Sequence, residues 1–268
     1  LLRHPTSGTA STIEQQRREN PALTQDEDQC VATLLAGFDA YPAYYAHMGP
    51  MNLAVPAPVD LSPVAEADPA ELRRRIEDGE WVVDLRDRTA FARGHLPGTY
   101  NFDATGDLVT YLGWLIPWGI PLTLIGANSE QVAEVQRELV RIGIDRPAAQ
   151  ATAPVEQLAA DRPLARYRTA SFAELAHARG DGQVYVLDVR RDAEWNDSHL
   201  DGAQHIPVHS LSDRLDEIPS GPVWVHCASG FRASIAASLL DAAGKDVIAI
   251  DDAFAQAEAA GAPVTDTP

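Results

Sequence analysis

Cysteine is scarce: Cys30 and Cys227 are the only two in 268 residues. Two are too few for a disulfide framework. Both are expected to be reduced thiols, which suits a cytosolic chain. The N-terminus lacks the apolar run of a secretory leader. The chain opens on Leu1 and is expected to be a piece of something longer. Positive charge is also short: 21 Lys and Arg against 39 Asp and Glu give a net charge of -18. That balance argues against nucleic acid or an anionic membrane as a partner. An anionic substrate must then be drawn in by a local positive site. Long apolar runs are missing too. Leu108 to Gly126 carries no charge, but Gly113, Pro117, Gly119 and Pro121 break it into a helix, a turn and a strand of buried core. The histidines His199, His205, His209 and His226 lack metal-ligand spacing, so no metal is expected.

What is present is an ordinary globular composition, 45% hydrophobic and 22% charged. Residues 1–60 read as a separate, mostly helical segment. Ser11 to Glu14 has a capping-box spacing before a short helix from Glu14 to Asn20, and Asp26 to Phe38 is a second helix. Cys30 lies in that second helix as a small apolar residue. Val55-Pro-Ala-Pro-Val59 is a linker. Residues 64–150 read as one α/β domain and 167–268 as another, with a linker over 151–166. In the first, Asp68-Pro69 opens a helix, Trp81–Leu85 and Pro121–Ile125 are strands, and Ser129–Gly143 is a helix. In the second, Ser171 opens a capping box, Val184–Val189 is a strand, Leu211–Ile218 a helix, Val247–Ile250 a strand and Asp252–Ala260 a helix. The two share a pattern: Asp84 matches Asp188, Arg86 Arg190, His95 His199, and Phe91 Trp195. Strands alternating with helices predict doubly wound, mostly parallel sheets, with the ligand at the carboxyl ends of the strands.

One stretch carries the chemistry. Pro222-Val-Trp-Val-His-Cys227-Ala-Ser-Gly-Phe-Arg232 reads as a buried strand, a loop and the start of a helix that stops at Gly244. Cys227 falls just before a helix N-terminus, where unpaired N–H groups and the helix dipole favour a thiolate. Amides of Ala228, Ser229, Gly230, Phe231 and Arg232 can form an anion cradle, and Arg232 adds a positive charge. The plain alternative is a buried, inert cysteine. Thiolate chemistry is expected only with the thiol open to solvent and its neighbouring amides turned toward it; a thiol walled off from solvent would overturn that reading.

This loop resembles that of the rhodanese sulfurtransferases, whose pattern is C-x-x-G-x-R; Cys227, Gly230 and Arg232 match it in place. The resemblance implies a cysteine that takes up a sulfane sulfur as a persulfide and passes it to a thiol or cyanide, without a cofactor. The related phosphatase loop is one residue longer. Six residues after Cys227 stands Ala233 where that loop needs arginine, so sulfur is favoured over phosphate or arsenate chemistry. The domain over 64–150 resembles the inactive copy of a tandem rhodanese, since Gly126 aligns with Cys227. It is expected to cover the active copy and form one wall of a cleft. Ser11 to Leu23 and Tyr41 to Tyr45 resemble the tail of the metallo-β-lactamase-fold persulfide dioxygenases. That fold's H-x-H-x-D-H cluster is absent from the sequence, so a dioxygenase domain is expected only as a partner or missing segment. The competing expectation is a non-catalytic rhodanese-fold module that docks such a partner.

Other residues weigh less. The resemblance implies that Asp188 orients the loop backbone and its neighbouring arginine; because Asp84 holds the same place in the copy without a cysteine, a structural role as a helix cap or an ion pair with Arg190 is expected instead. Arg190 either holds an anionic substrate or pairs with Asp188. His199 has a twin in His95, so a fold role is expected. Alternation along the strand turns His226 away from Cys227. Ser229 either steadies a persulfide or merely tolerates the turn. Phe231 is a rim contact or packing. Asp251-Asp-Ala-Phe254 replaces the Gly-Gly-x-x-x-Trp stretch common in rhodaneses and adds negative charge near the cleft. A protein or small-thiol persulfide is therefore as good a donor candidate as thiosulfate.

Overall fold

The computed structural model describes residues 10–36, 40–54, 58–104 and 107–266. The chain divides into two compact units, Leu1–Ala40 and Tyr41–Pro268. The small unit holds α1 (Ile13–Glu19), α2 (Pro21–Thr24) and α3 (Glu27–Ala36). Thr12, not Ser11, caps α1 by accepting from the Gln15 N–H at 3.1 Å, while Glu14 pairs with Arg18. The expected end of the second helix at Phe38 lies outside the described residues, as do Val55, Pro56 and Ala57 of the linker.

The large unit begins with α4 (Tyr45–Leu53) and α5 (Pro69–Glu77). Asp68 caps α5 through the Glu71 N–H, with Pro69 just inside the start, as the sequence predicts. Then come β1 (Trp81–Asp84), α6 (Arg88–Arg93), β2 (Tyr100–Asn101), α7 (Leu108–Leu115), β3 (Leu122–Ile125), α8 (Ser129–Leu139), β4 (Ala149–Ala151) and α9 (Val155–Ala159). These strands form a sheet in the order β2-β1-β3-β4. The second set is β5 (Arg168–Ala170), α10 (Phe172–Asp181), β6 (Tyr185–Asp188), α11 (Asp192–Asp197), β7 (Ser198–Leu200), β8 (Gln204–His205), β9 (Val223–His226), α12 (Phe231–Ala242), β10 (Val247–Ile250) and β11 (Val264–Asp266). Its main sheet runs β5-β10-β9-β6-β8, all parallel. The fold is α/β with parallel sheets, preceded by a helical N-terminal segment.

Four expectations need correction. Residues from Tyr41 onward belong with the sheets, where the Tyr44 ring lies against Gly113 and leaves no room for a side chain there. The start of the expected 151–166 linker is edge strand and helix, because the small side chains of Ala149, Ala151 and Ala159 bury against Leu72 and Val82. The helix expected over Asp252–Ala260 is a short 3-10 turn at Phe254–Gln256. There the Phe254 N–H donates to Ala228 O at 2.9 Å and Asp252 accepts from the Phe172 N–H, so the chain is tied to its neighbours before a helix can form. Leu211–Ile218 is likewise a 3-10 segment, Ser212–Glu217, broken at Arg214.

Helix α12 is the hinge pin of the large unit. Ile235, Leu239 and Leu240 bury in the main core, which takes residues from both sheets. A polar stripe at Ser234, Ser238 and Asp241 faces the first sheet, with i, i+4, i+7 spacing. Ser234 Oγ donates to Asn101 Oδ1, the Asn101 N–H donates to Ser238 Oγ at 3.0 Å, and Asp241 meets His95 Nε2 at 3.0 Å. Asn101 Nδ2 also donates to the carbonyls of Asp84 and Arg86. Removing that amide orphans several buried groups, so Asn101→Ala should cost about 2–4 kcal/mol. Urea unfolding checks this, and a midpoint equal to the parent's would refute the seam.

Candidate active site

Strand alternation sorts Cys227 from its neighbour. Val223, Val225 and Cys227 join the main core, while Trp224 lies in the cluster on the other face of the sheet. His226 sits on that other face between the rings of Phe172 and Phe254, with ring centres 5.6 Å away in each case. It is therefore no base for Cys227, as the sequence predicts.

The loop from Cys227 to Gly230 turns the chain from β9 into α12. Gly230 makes the turn with φ of +90°, a left-handed backbone that disfavours any side chain. Space forbids one as well: a Cβ there would run into Asp251 Oδ1. Ser229 stands exposed at the crest. Among the described residues, the N–H groups of Ala228, Ser229 and Gly230 donate to no protein acceptor. Free amides at a helix N-terminus are what an anion-binding turn offers. In the other sheet Gly126 follows β3 as Cys227 follows β9, and a Cβ there would lie 2.6 Å from Val132 Cγ2. That loop is packed shut.

The arginines lead elsewhere than to an open cleft. Arg232 is buried and gives Nη1 and Nη2 to the two oxygens of Glu194, at 2.5 and 2.7 Å. Burial works against charge on both partners, but the mutual hydrogen bonds win: the Glu194 carboxyl is held down at about 2 and the Arg232 guanidinium is pushed up. Of the two roles foreseen for Arg190, the ion pair is the one observed. Its Nε and Nη2 bind Asp188 at 2.7 to 3.0 Å, Nη2 also reaches Ser198 O, and the guanidinium lies 3.7 Å from the Phe254 ring centre. Arg86 repeats this on Asp84 and Gly94 O. The negative charge expected from Asp251 is met by Arg88 Nε at 2.7 Å.

The expected open thiol is also corrected. Cys227 is 1% exposed, inside the core cluster. Phe231 and, from α7, Tyr111 and Trp114 pack against that cluster, and the Tyr111 and Phe231 rings meet edge to face at 5.8 Å. Sequence reasoning missed Glu194, Tyr111 and Arg88. A signal for Glu194 existed: Arg232 and Glu194 occur together in the cysteine-bearing half, where the other half has Gln131 and Ala90. Nothing local marked Tyr111 or Arg88. Among the described residues no group of His, Cys, Asp and Glu is arranged to hold a metal, and no helix is long and apolar enough to cross a membrane.

The rhodanese-like domain model matches residues 68–119 and 171–260, the second segment enclosing the whole Cys227 loop. The chain belongs to the rhodanese-like family. This rhodanese-like chain is 34% identical over 95 residues to the HTH-type transcriptional regulator Rv0324 of Mycobacterium tuberculosis, covering 34% of this chain and 42% of that protein. It is also similar to two solved structures. One is a thiosulfate sulfurtransferase from Pseudomonas aeruginosa: 21% identity, 76% of this chain and 41% of that chain, TM-score 0.34. The other is a metallo-beta-lactamase from Staphylococcus aureus: 23% identity, 53% and 40%, TM-score 0.45. The chain thus spans less than half the length of each.

Burial of His226 makes stability depend on pH. Neither ring nitrogen has a hydrogen-bond partner, and burial pushes the imidazole down from 6.5 to about 4, with Asp188 opposing only in part. Between those values the unfolded chain binds the extra proton, so stability falls as pH drops from 6.5 to 4 and this contribution then levels off. The loss from this group is about 3 kcal/mol. Glu194 adds a separate loss between 4.5 and 2, as its carboxylate is protonated. Urea midpoints of parent and His226→Phe across this range check the assignment; an unchanged slope between pH 6.5 and 4 would refute it.

Proposed function

We propose that this chain is a sulfurtransferase of tandem rhodanese architecture, in which the half over 167–268 carries the chemistry and the half over 64–150 is its inactive copy. The observation that carries the reading is the set of free amides at Ala228, Ser229 and Gly230 beside Cys227, at the N-terminus of α12. In the reaction the Cys227 thiol loses its proton to solvent and the thiolate attacks a sulfane sulfur. The bond from that sulfur to the rest of the donor breaks. Sulfite leaves from thiosulfate, or a thiolate from a persulfide. The new Cys227 persulfide anion rests on the amides of residues 228–232, with Arg232 and its Glu194 partner behind it. An acceptor thiolate then takes the outer sulfur and returns Cys227 as a thiolate, so atoms and electrons balance without a cofactor. Asp188 and Arg190 brace the end of β6 as an ion pair. Cys227 is 1% exposed, so this structure does not give the open thiol that the sequence reading demands, and the transfer reading depends on the loop opening to admit a donor.

A second reading draws on that same burial and on the neutralised Arg232: a rhodanese-fold module that serves another protein domain. The likeness to a transcriptional regulator favours a module of this kind, as does the likeness of residues 11–23 and 41–45 to the tail of persulfide dioxygenases. Mass spectrometry separates the two. After incubation with thiosulfate, or with a small-thiol persulfide, the protein should carry one added sulfur on Cys227 that cyanide removes, and Cys227→Ser should carry none. No added sulfur from either donor would sink the transfer reading and leave the module.

A further inference from the structure

The half without the cysteine does more than cover its neighbour. Arg88, on α6 of that half, crosses to the cysteine-bearing half and gives Nε to Asp251 Oδ1 at 2.7 Å. The same carboxylate oxygen occupies the space where Gly230 would carry a side chain, and Arg88 Nε lies 3.2 Å from that point. Arg88 Nη1 is drawn back by Asp103 Oδ2 at 3.7 Å, so its guanidinium is anchored on both sides. Behind Asp251 the chain returns to the loop, where the Phe254 N–H donates to Ala228 O. Ala228 is thus hydrogen-bonded, and Gly230 closely packed, by one short stretch, 251–254, whose Asp251 is held by Arg88.

We propose that Arg88 is a positioning residue for the Cys227 loop. It clamps Asp251 onto Gly230 and keeps the loop closed over the thiol. Its consequence for sulfur transfer rests on the reading above, but the clamp itself does not. The other links across the seam, from Asn101 to Ser234 and Ser238 and from His95 to Asp241, hold the body of α12. The Arg88 link alone among these reaches the loop. A buried thiol reacts through local opening, so its alkylation rate reads how often the loop opens.

The test uses the full chain with Cys30→Ser, which leaves Cys227 as the one thiol, and iodoacetamide followed by mass spectrometry. Arg88→Met and Asp251→Ala should each speed alkylation of Cys227 by about tenfold, the scale of one lost hydrogen bond to a charged group. They change local charge in opposite directions, so an electrostatic effect on the thiolate would move the two rates apart. Arg88→Lys, which keeps a donor and a charge, should restore the parent's rate to within about threefold. Ser238→Ala loosens the seam away from the loop and should lower the melting temperature without speeding alkylation. The proposal is overturned if Arg88→Met alkylates at the parent's rate, if Arg88→Met and Asp251→Ala move it oppositely, or if Ser238→Ala speeds it equally. Sulfur loading of the parent is measured alongside. Its absence would end the transfer reading while the alkylation rates still decide the clamp.

Discussion

The left-handed turn at Gly230 is the constraint on which the site depends. It lets a buried strand end just before a cysteine and a helix begin four residues after that cysteine, with the N–H groups of Ala228, Ser229 and Gly230 left unpaired. Every close neighbour of that turn serves to keep it: Asp251 fills the space a side chain would take, and Phe254 ties Ala228. The helix it starts is nearly all buried on its first three turns. A loop carrying free N–H groups is costly to hold next to a core, and the packing of α12 against both sheets is what stabilises it.

Several charges are handled by pairing, some between near neighbours in the chain and some across the fold. Asp84 with Arg86 and Asp188 with Arg190 are fork-shaped buried pairs two residues apart, each arginine also reaching a carbonyl eight residues on. Each pair fixes the exit of a strand and the start of the loop that follows. Such pairs contribute shape more than net stability, because desolvation offsets their attraction. Arg232, in the first turn of the helix that follows the Cys227 loop, pairs in the same fork-shaped way with the partly buried Glu194. Their geometry leaves a neutral couple with the arginine fixed in place. A negative sulfur species near Arg232 would gain from this without an unpaired cation being stored in the core in its absence.

The strands are legible in the sequence, because each sheet is parallel and its inner strands are continuous apolar runs. So is the strand-to-helix loop at Cys227, because an apolar run, a glycine turn and a helical pattern follow one another there. The side to which His226 points is legible as well, because period two in a strand is geometry. The start of 151–166 and Asp252–Ala260 are not. Small residues show no period, which gives 151–166 the character of a linker although Ala151 ends a strand and Val155–Ala159 is a helix. Alanine favours helix anywhere, which gives Asp252–Ala260 a helical pattern it does not adopt. In both places a tertiary partner decided: Leu72 and Val82 for the strand, Ala228 O for the turn.

By itself, then, the amino-acid order determined that the chain would build α/β layers and where a strand would hand its cysteine to a helix, because those outcomes follow from local period, capping and backbone freedom. The tertiary structure alone decided that the thiol is enclosed, that Arg232 spends its charge on Glu194, and that Arg88 reaches the loop from 163 residues upstream of Asp251. Those outcomes depend on which surfaces meet when the two sheets close on α12, and contacts between distant segments leave no period in the sequence to read.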